Sequence, residues 1–139
     1  MLTHITEIRV RYADTDKMQF VYNGKYLEYF EVGRTELLRS TGLPYSEVEK
    51  KGYQLPLIEA GLKYYQPAVY DDVLEIHATV KELHSPKVHI EYVVKRKGTN
   101  DLIAEGFTTH MFIRTDTKKA VRPPKDYVTA LEPFFKKNN

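Results

Sequence analysis

The sequence predicts an α+β fold in which one antiparallel sheet of about five strands curls around a single long helix. Three observations lead there. One strongly helical apolar stripe, Tyr26, Tyr29, Phe30, Gly33 and Leu37, stands early in the chain. Alternating apolar and polar stretches flank it, one before and four after. Short turns between the later stretches read as an antiparallel meander.

The chain has 139 residues, the size of one domain, and 42% of them are apolar, enough for a core. No internal repeat or low-complexity segment divides it. Lys plus Arg (21) nearly balance Asp plus Glu (19), which argues against a nucleic-acid partner. No apolar run approaches the ~18 residues of a membrane span. The first residues alternate like a strand rather than a leader. With no Cys there is no disulfide, thiolate nucleophile or Cys-based metal site. These features lead us to expect a cytoplasmic protein.

Taken in order, residues 5–12 form the first strand, with Ile8, Val10 and Tyr12 on one face and Glu7, Arg9 and Arg11 on the other. The helix spans about 24–41, with Leu27 and Leu38 widening its stripe. Asn23 serves as its N-cap and Gly42 as its stop. A short helix opens at Pro44 and ends near Gly52. The next strand covers 53–65, with Ile58, Ala60, Leu62 and Tyr64 on one face. Leu74, Ile76, Ala78 and Val80 form the inner side of the following strand, and Val88, Ile90, Tyr92 and Val94 that of its neighbour. The last, 102–114, places Ile103, Phe107, Met111 and Ile113 together. A terminal helix covers about 125–135, with Tyr127, Leu131 and Phe134 on one side.

The chemistry concentrates between Tyr12 and Tyr26, Y-A-D-T-D-K-M-Q-F-V-Y-N-G-K-Y. Asp14 and Asp16 follow a strand, and a helix start with free backbone N–H groups comes a few residues later. A carboxylate can act as base or nucleophile, and free N–H groups can hold an oxyanion. Spacing alone also allows Asp16 to be a simple turn residue.

Tyr12-Ala13-Asp14-Thr15-Asp16, Val21-Tyr22, Tyr26-Leu27, Phe30-Glu31, Gly33-Arg34-Thr35-Glu36, Tyr70-Asp71-Asp72-Val73-Leu74 and Arg122-Pro123-Pro124 carry a resemblance over nearly the whole chain. The sequence resembles the hotdog-fold acyl-CoA thioesterases, nearest to the 4-hydroxybenzoyl-CoA thioesterase family and its Tol–Pal-associated relatives. The resemblance implies hydrolysis of an acyl-CoA, with Asp16 acting on the thioester and the Asn23 N–H polarising its oxygen. It implies Phe20, Tyr22 and Tyr26 around the acyl group, and no cofactor. It also implies dimers in which two sheets join, often paired into tetramers. Many relatives carry Gly where this chain has Gln19 and His where it has Asn23. An acyl carrier protein thioester is the alternative substrate, and a non-catalytic acyl-thioester-binding module the alternative function.

Other candidates read more plainly. Asp14 is a loop scaffold. Arg34 pairs with Glu31 one turn earlier. His77, His89 and His110 line the polar face of the sheet, and the five histidines offer no metal-ligand spacing. Lys87, in the 84–87 turn, and the cluster of Arg114, Lys118, Lys119 and Arg122 are the basic groups available to the phosphates of coenzyme A.

Overall fold

The computed structural model describes residues 1–137. Five strands form one antiparallel sheet: β1 (Leu2–Arg9), β3 (Leu57–Tyr64), β4 (Val73–Val80), β5 (Val88–Arg96) and β6 (Leu102–His110). Their order is β1-β4-β5-β6-β3. The long helix α1 (Lys25–Ser40) packs across the inner face. A short helix α2 (Tyr45–Lys50) and a small ladder of β2 (Tyr53–Gln54) with β7 (Ile113–Arg114) close one end. Helix α3 (Lys125–Lys137) lies against β1. This is the hotdog fold expected from the sequence.

The inner face follows the alternation where strands are regular. Leu74, Ile76, Ala78 and Val80 of β4 are buried, as are Val88, Ile90, Tyr92 and Val94 of β5. From α1, Tyr26, Tyr29, Phe30, Gly33, Leu37 and Leu38 meet them, while Leu27 turns outward and is partly exposed. Phe30 stacks on Tyr92 with ring centroids 4.2 Å apart. Burying a side chain of that size contributes about 2–3 kcal/mol.

Four expectations about the strands are corrected. First, the meander covers only β4, β5 and β6. The strand before it, β3, pairs with β6 rather than with β4. Residues 65–72 are too long for a tight hairpin, and Arg96 holds them across the sheet end through Asp72 (3.2 Å) and the Pro67 carbonyl (3.0 Å). Second, the phase of β6 is reversed. Ala104, Gly106, Thr108 and His110 face the helix, opposite Val94, Tyr92, Ile90 and Val88, and Phe107 faces outward. Small inner residues make room for Phe30: a Cβ on Gly106 would lie 2.8 Å from its ring and 2.3 Å from the Gly61 carbonyl oxygen. His110 is therefore a core residue, whereas His77 and His89 do sit on the outer face. Third, a bulge between Leu57 and Glu59 removes Ile58 from the face of Ala60, Leu62 and Tyr64. Fourth, β1 ends at Arg9, and Tyr12 lies exposed in a 3₁₀ turn, Tyr12–Asp14.

The ends of α1 follow backbone chemistry. Gly42, at φ +86°, supplies the left-handed residue that stops it. At the start, Gly24 occupies the cap position and no side chain caps the helix. Asn23 is not the cap; the Tyr22 carbonyl accepts from Lys25 N (2.9 Å) and begins the first turn.

Candidate active site

The loop 12–24 is held from three sides. Its core anchor is Asp14, only 3% exposed. One carboxylate oxygen accepts from the Arg11 backbone N–H (3.1 Å) and the Tyr29 hydroxyl (2.9 Å). The other faces Arg11 (3.1 Å) and Lys25 (3.3 Å). Burial raises the carboxyl pKa. The Arg11 backbone N–H and the Tyr29, Arg11 and Lys25 side chains more than offset that, leaving it below the ordinary value. The Asp14 carbonyl also accepts from Tyr22 N at 2.9 Å, so one residue ties both arms of the loop to α1.

Asp16 occupies a different environment. It is half-buried, and its Oδ1 accepts from Met18 N (2.9 Å) and Phe20 N (3.3 Å) across a tight turn. Its backbone N–H donates to the Phe20 carbonyl at 2.8 Å. Within the described residues Oδ2 takes no hydrogen bond. The turn places Gln19 at φ +67°, in the region glycine favours. The two carboxylates thus differ: Asp14 is spent on structure, and Asp16 keeps one oxygen free.

After the turn, Val21 N donates to the Ala68 carbonyl (2.9 Å) and Phe20 bridges to Val69, which presses the loop onto the 65–72 connection. Asn23 follows. Its carbonyl accepts from the Tyr64 hydroxyl (3.0 Å) and from Tyr26 N (3.4 Å). Its own N–H and that of Gly24 have no acceptor among the described residues. Between loop and connection runs an open groove of about 280 Å³, lined by Phe20, Asn23, Tyr26, Tyr64, Tyr65 and Pro67 among others. Tyr26 is buried at its base, edge-on to Tyr64 at 5.4 Å, and burial with the neighbouring Tyr64 pushes its phenol up to about 12. Tyr22 is 61% exposed, with its ring over Gly24, and is not among the groove's lining residues.

The structure therefore brings Phe20, Asn23 and Tyr26 together along the groove, and Asp16, which is not among its lining residues, adjoins it through its bonds to Phe20. Lys87 lies elsewhere. β4 runs away from the loop, so Lys87, just before β5, lies at the opposite end of the sheet. At about 3.3 Å per residue, that is roughly 25 Å away. Arg122 lies beside the same turn, donating to the His84 carbonyl (3.2 Å), and Arg114 pairs with Asp116 (3.1 Å). Sequence reasoning missed Tyr29 and Tyr64. Their hydroxyls fix Asp14 and Asn23 across separations of 15 and 41 residues, for which the linear pattern holds no signal. No described residues form a cluster of three or more His, Asp or Glu side chains suited to a metal ion.

Comparison with known proteins now decides the family. The model of the Thioesterase-like superfamily matches residues 10–131, spanning the loop, the helix and every strand of the sheet except β1. The chain belongs to the Thioesterase-like superfamily. It is an enzyme of that family, a thioester hydrolase. It is 32% identical over 129 residues to the putative acyl-CoA thioesterase YneP of Bacillus subtilis, covering 91% of this chain and 93% of the relative. Among solved structures it is similar to the hypothetical protein TT1821 of Thermus thermophilus. That match has a TM-score of 0.85 and 38% identity, over 94% of this chain and 98% of the other. It is also similar to the DHNA-CoA thioesterase of Staphylococcus aureus, with a TM-score of 0.89 and 29% identity, over 100% and 95%.

Proposed function

We propose that this thioesterase hydrolyses acyl-CoA to free acid and CoA, using Asp16 as its catalytic carboxylate and the Asn23 N–H as oxyanion donor. One observation carries the reading: a single loop holds a carboxylate oxygen and helix-start N–H groups that no described residue satisfies. The thioester carbonyl oxygen accepts from Asn23 N as negative charge develops on it. Either Asp16 takes a proton from the attacking water, or its carboxylate attacks the carbonyl carbon and water then cleaves the anhydride. In both routes the C–S bond breaks and the CoA sulfur leaves as thiolate and is protonated. In the first route the acid gains the water oxygen directly. In the second it leaves with an Asp16 oxygen, and water, opening the anhydride at the Asp16 carboxyl carbon, replaces that oxygen. Phe20 and Tyr26 border the acyl group in the groove, and Tyr22, exposed beside Gly24, meets the part of the substrate outside it.

The site is assembled in an oligomer on this reading. Of the two sheet edges, β1 lies beside α3, whereas on the outer side of β3 no strand pairs among the described residues. Leu57 and Ile58 on it are 47% and 50% exposed. An open apolar edge favours pairing with a second copy, giving a dimer and, by further packing, a tetramer. Lys87 reaches CoA phosphates only in a site to which a partner brings it. Sedimentation tests the assembly.

Asp16→Asn is the decisive variant. It keeps the Oδ1 turn contacts and removes the charge. We expect turnover of a panel of aromatic, short-chain and long-chain acyl-CoAs to fall at least a hundredfold, with unfolding unchanged. Hydrolysis at the parent rate would dismiss the mechanism. Solvent oxygen-18 appearing in the Asp16 carboxylate after one turnover would identify attack rather than base catalysis. Rates on acyl carrier protein thioesters measured beside the CoA panel separate the two carriers. Tight acyl-CoA binding without turnover would identify a binding module instead.

A further inference from the structure

A second cavity, of about 160 Å³, lies between the C-terminal half of α1, α2 and the far ends of β4 and β5. Leu37, Leu38, Leu55, Val80, Val88 and Ile90 supply its apolar wall. An apolar cavity of ~150 Å³ accepts one benzene molecule, so this one takes a body of ring size. Arg34 also lines it, and its charge sets the chemistry.

The expected pair with Glu31 is absent: no carboxylate among the described residues is ion-paired with Arg34, and Glu31 is exposed at the rim. Behind Arg34 stands an oriented polar chain. His110 Nδ1 lies 3.3 Å from the Leu55 carbonyl, which can only accept, so that nitrogen carries the proton. Nε2 then accepts from the Thr108 hydroxyl (2.9 Å), which accepts from Tyr92 (2.7 Å). Burial raises the pKa of the Tyr92 phenol, and the positive charge of the nearby Arg34 opposes that larger effect by favouring the ionised form. This chain is neutral throughout and offers Arg34 no counter-charge. The guanidinium donors face the cavity with no carboxylate ion-paired to them among the described residues. A half-buried cation beside apolar walls is stabilised by an anion that shares those walls.

We propose that this cavity binds a small carboxylic acid whose apolar body is about the size of one aromatic ring, its carboxylate paired with Arg34. The inference rests on this cavity alone, independently of how Asp16 acts.

The test titrates benzoate, hexanoate and, as the uncharged control, benzyl alcohol into the full-length protein with its Val and Ile methyl groups observed by NMR. Saturable shifts at Val80, Val88 and Ile90 are expected with both acids, and benzyl alcohol should bind about tenfold or more weakly. Arg34→Gln should bring benzoate down to the level of the alcohol. Thr35→Tyr, at a partly exposed wall position, should fill the cavity and abolish the shifts while the protein stays folded. Should Arg34→Gln fail to fold, Thr35→Tyr and the alcohol comparison decide. Shifts confined to Val21 and Val69 near the loop groove, equal binding of acid and alcohol, or undiminished binding in Thr35→Tyr would overturn the proposal.

Discussion

Replacing Asp14 by Asn tests whether the loop is held as the hydrogen bonds describe. The substitution keeps the volume but leaves one acceptor oxygen and adds an N–H₂ group facing donors. Two contacts dominate: the buried Tyr29 hydroxyl and the Arg11 backbone N–H, both donating to a charged oxygen. Such bonds contribute about 1.5–3 kcal/mol each. The Arg11 guanidinium is mostly exposed and adds little, and Lys25 adds about 1 kcal/mol. An amide oxygen retains part of this, so the net loss is about 3 kcal/mol, or a fall in Tm of roughly 10 °C for a chain of this length. The pH dependence gives a second signature. The folded pKa of Asp14 lies below its unfolded value, so its stabilisation is complete above the unfolded pKa of 3.8 and is lost as pH falls further. The variant should therefore lose stability at pH 7 and lose less on acidification below 3.8. Urea unfolding at fixed protein concentration, at both pH values and in a double cycle with Tyr29→Phe, measures this. A loss under 0.5 kcal/mol at pH 7, or additive single changes, would refute the assignment of Asp14 as the anchor.

Three further outcomes follow from the core and the groove. His110 is 1% exposed, and burial, with the nearby Arg34, lowers its pKa to about 4. Its unfolded form binds a proton near pH 6.5 and the folded form does not, so stability is full above 6.5 and falls by about 3 kcal/mol as pH drops towards 4; removing the imidazole should flatten urea midpoints across that window. Gly106→Ala sets a methyl group 2.3 Å from a backbone oxygen and should cost about 3 kcal/mol or more, read by thermal unfolding. Tyr64→Phe removes the hydroxyl on the Asn23 carbonyl. Stability should change by about 1 kcal/mol, whereas kcat on acyl-CoA should fall more than tenfold if that bond sets the Asn23 N–H.

The sequence by itself determined the elements that repeat a period. The stripe of α1, apart from Leu27, and the alternation in β4 and β5 appear in the structure as read, because one-sided burial writes itself into every second or every third-to-fourth residue. It also located the loop, since D-T-D before a helix start is local chemistry. Only the tertiary structure decided the rest. β6 reversed its phase because the helix-facing side had to be small under Phe30, so its large residue, Phe107, went outward. β3 left its sequence neighbour for the far edge because the 65–72 connection is anchored by Arg96. Arg34 lines a cavity instead of pairing with Glu31, and Lys87 ended at the opposite end of the sheet from Asp16. Each of these outcomes depends on contacts between residues far apart in the chain, which a linear pattern does not encode.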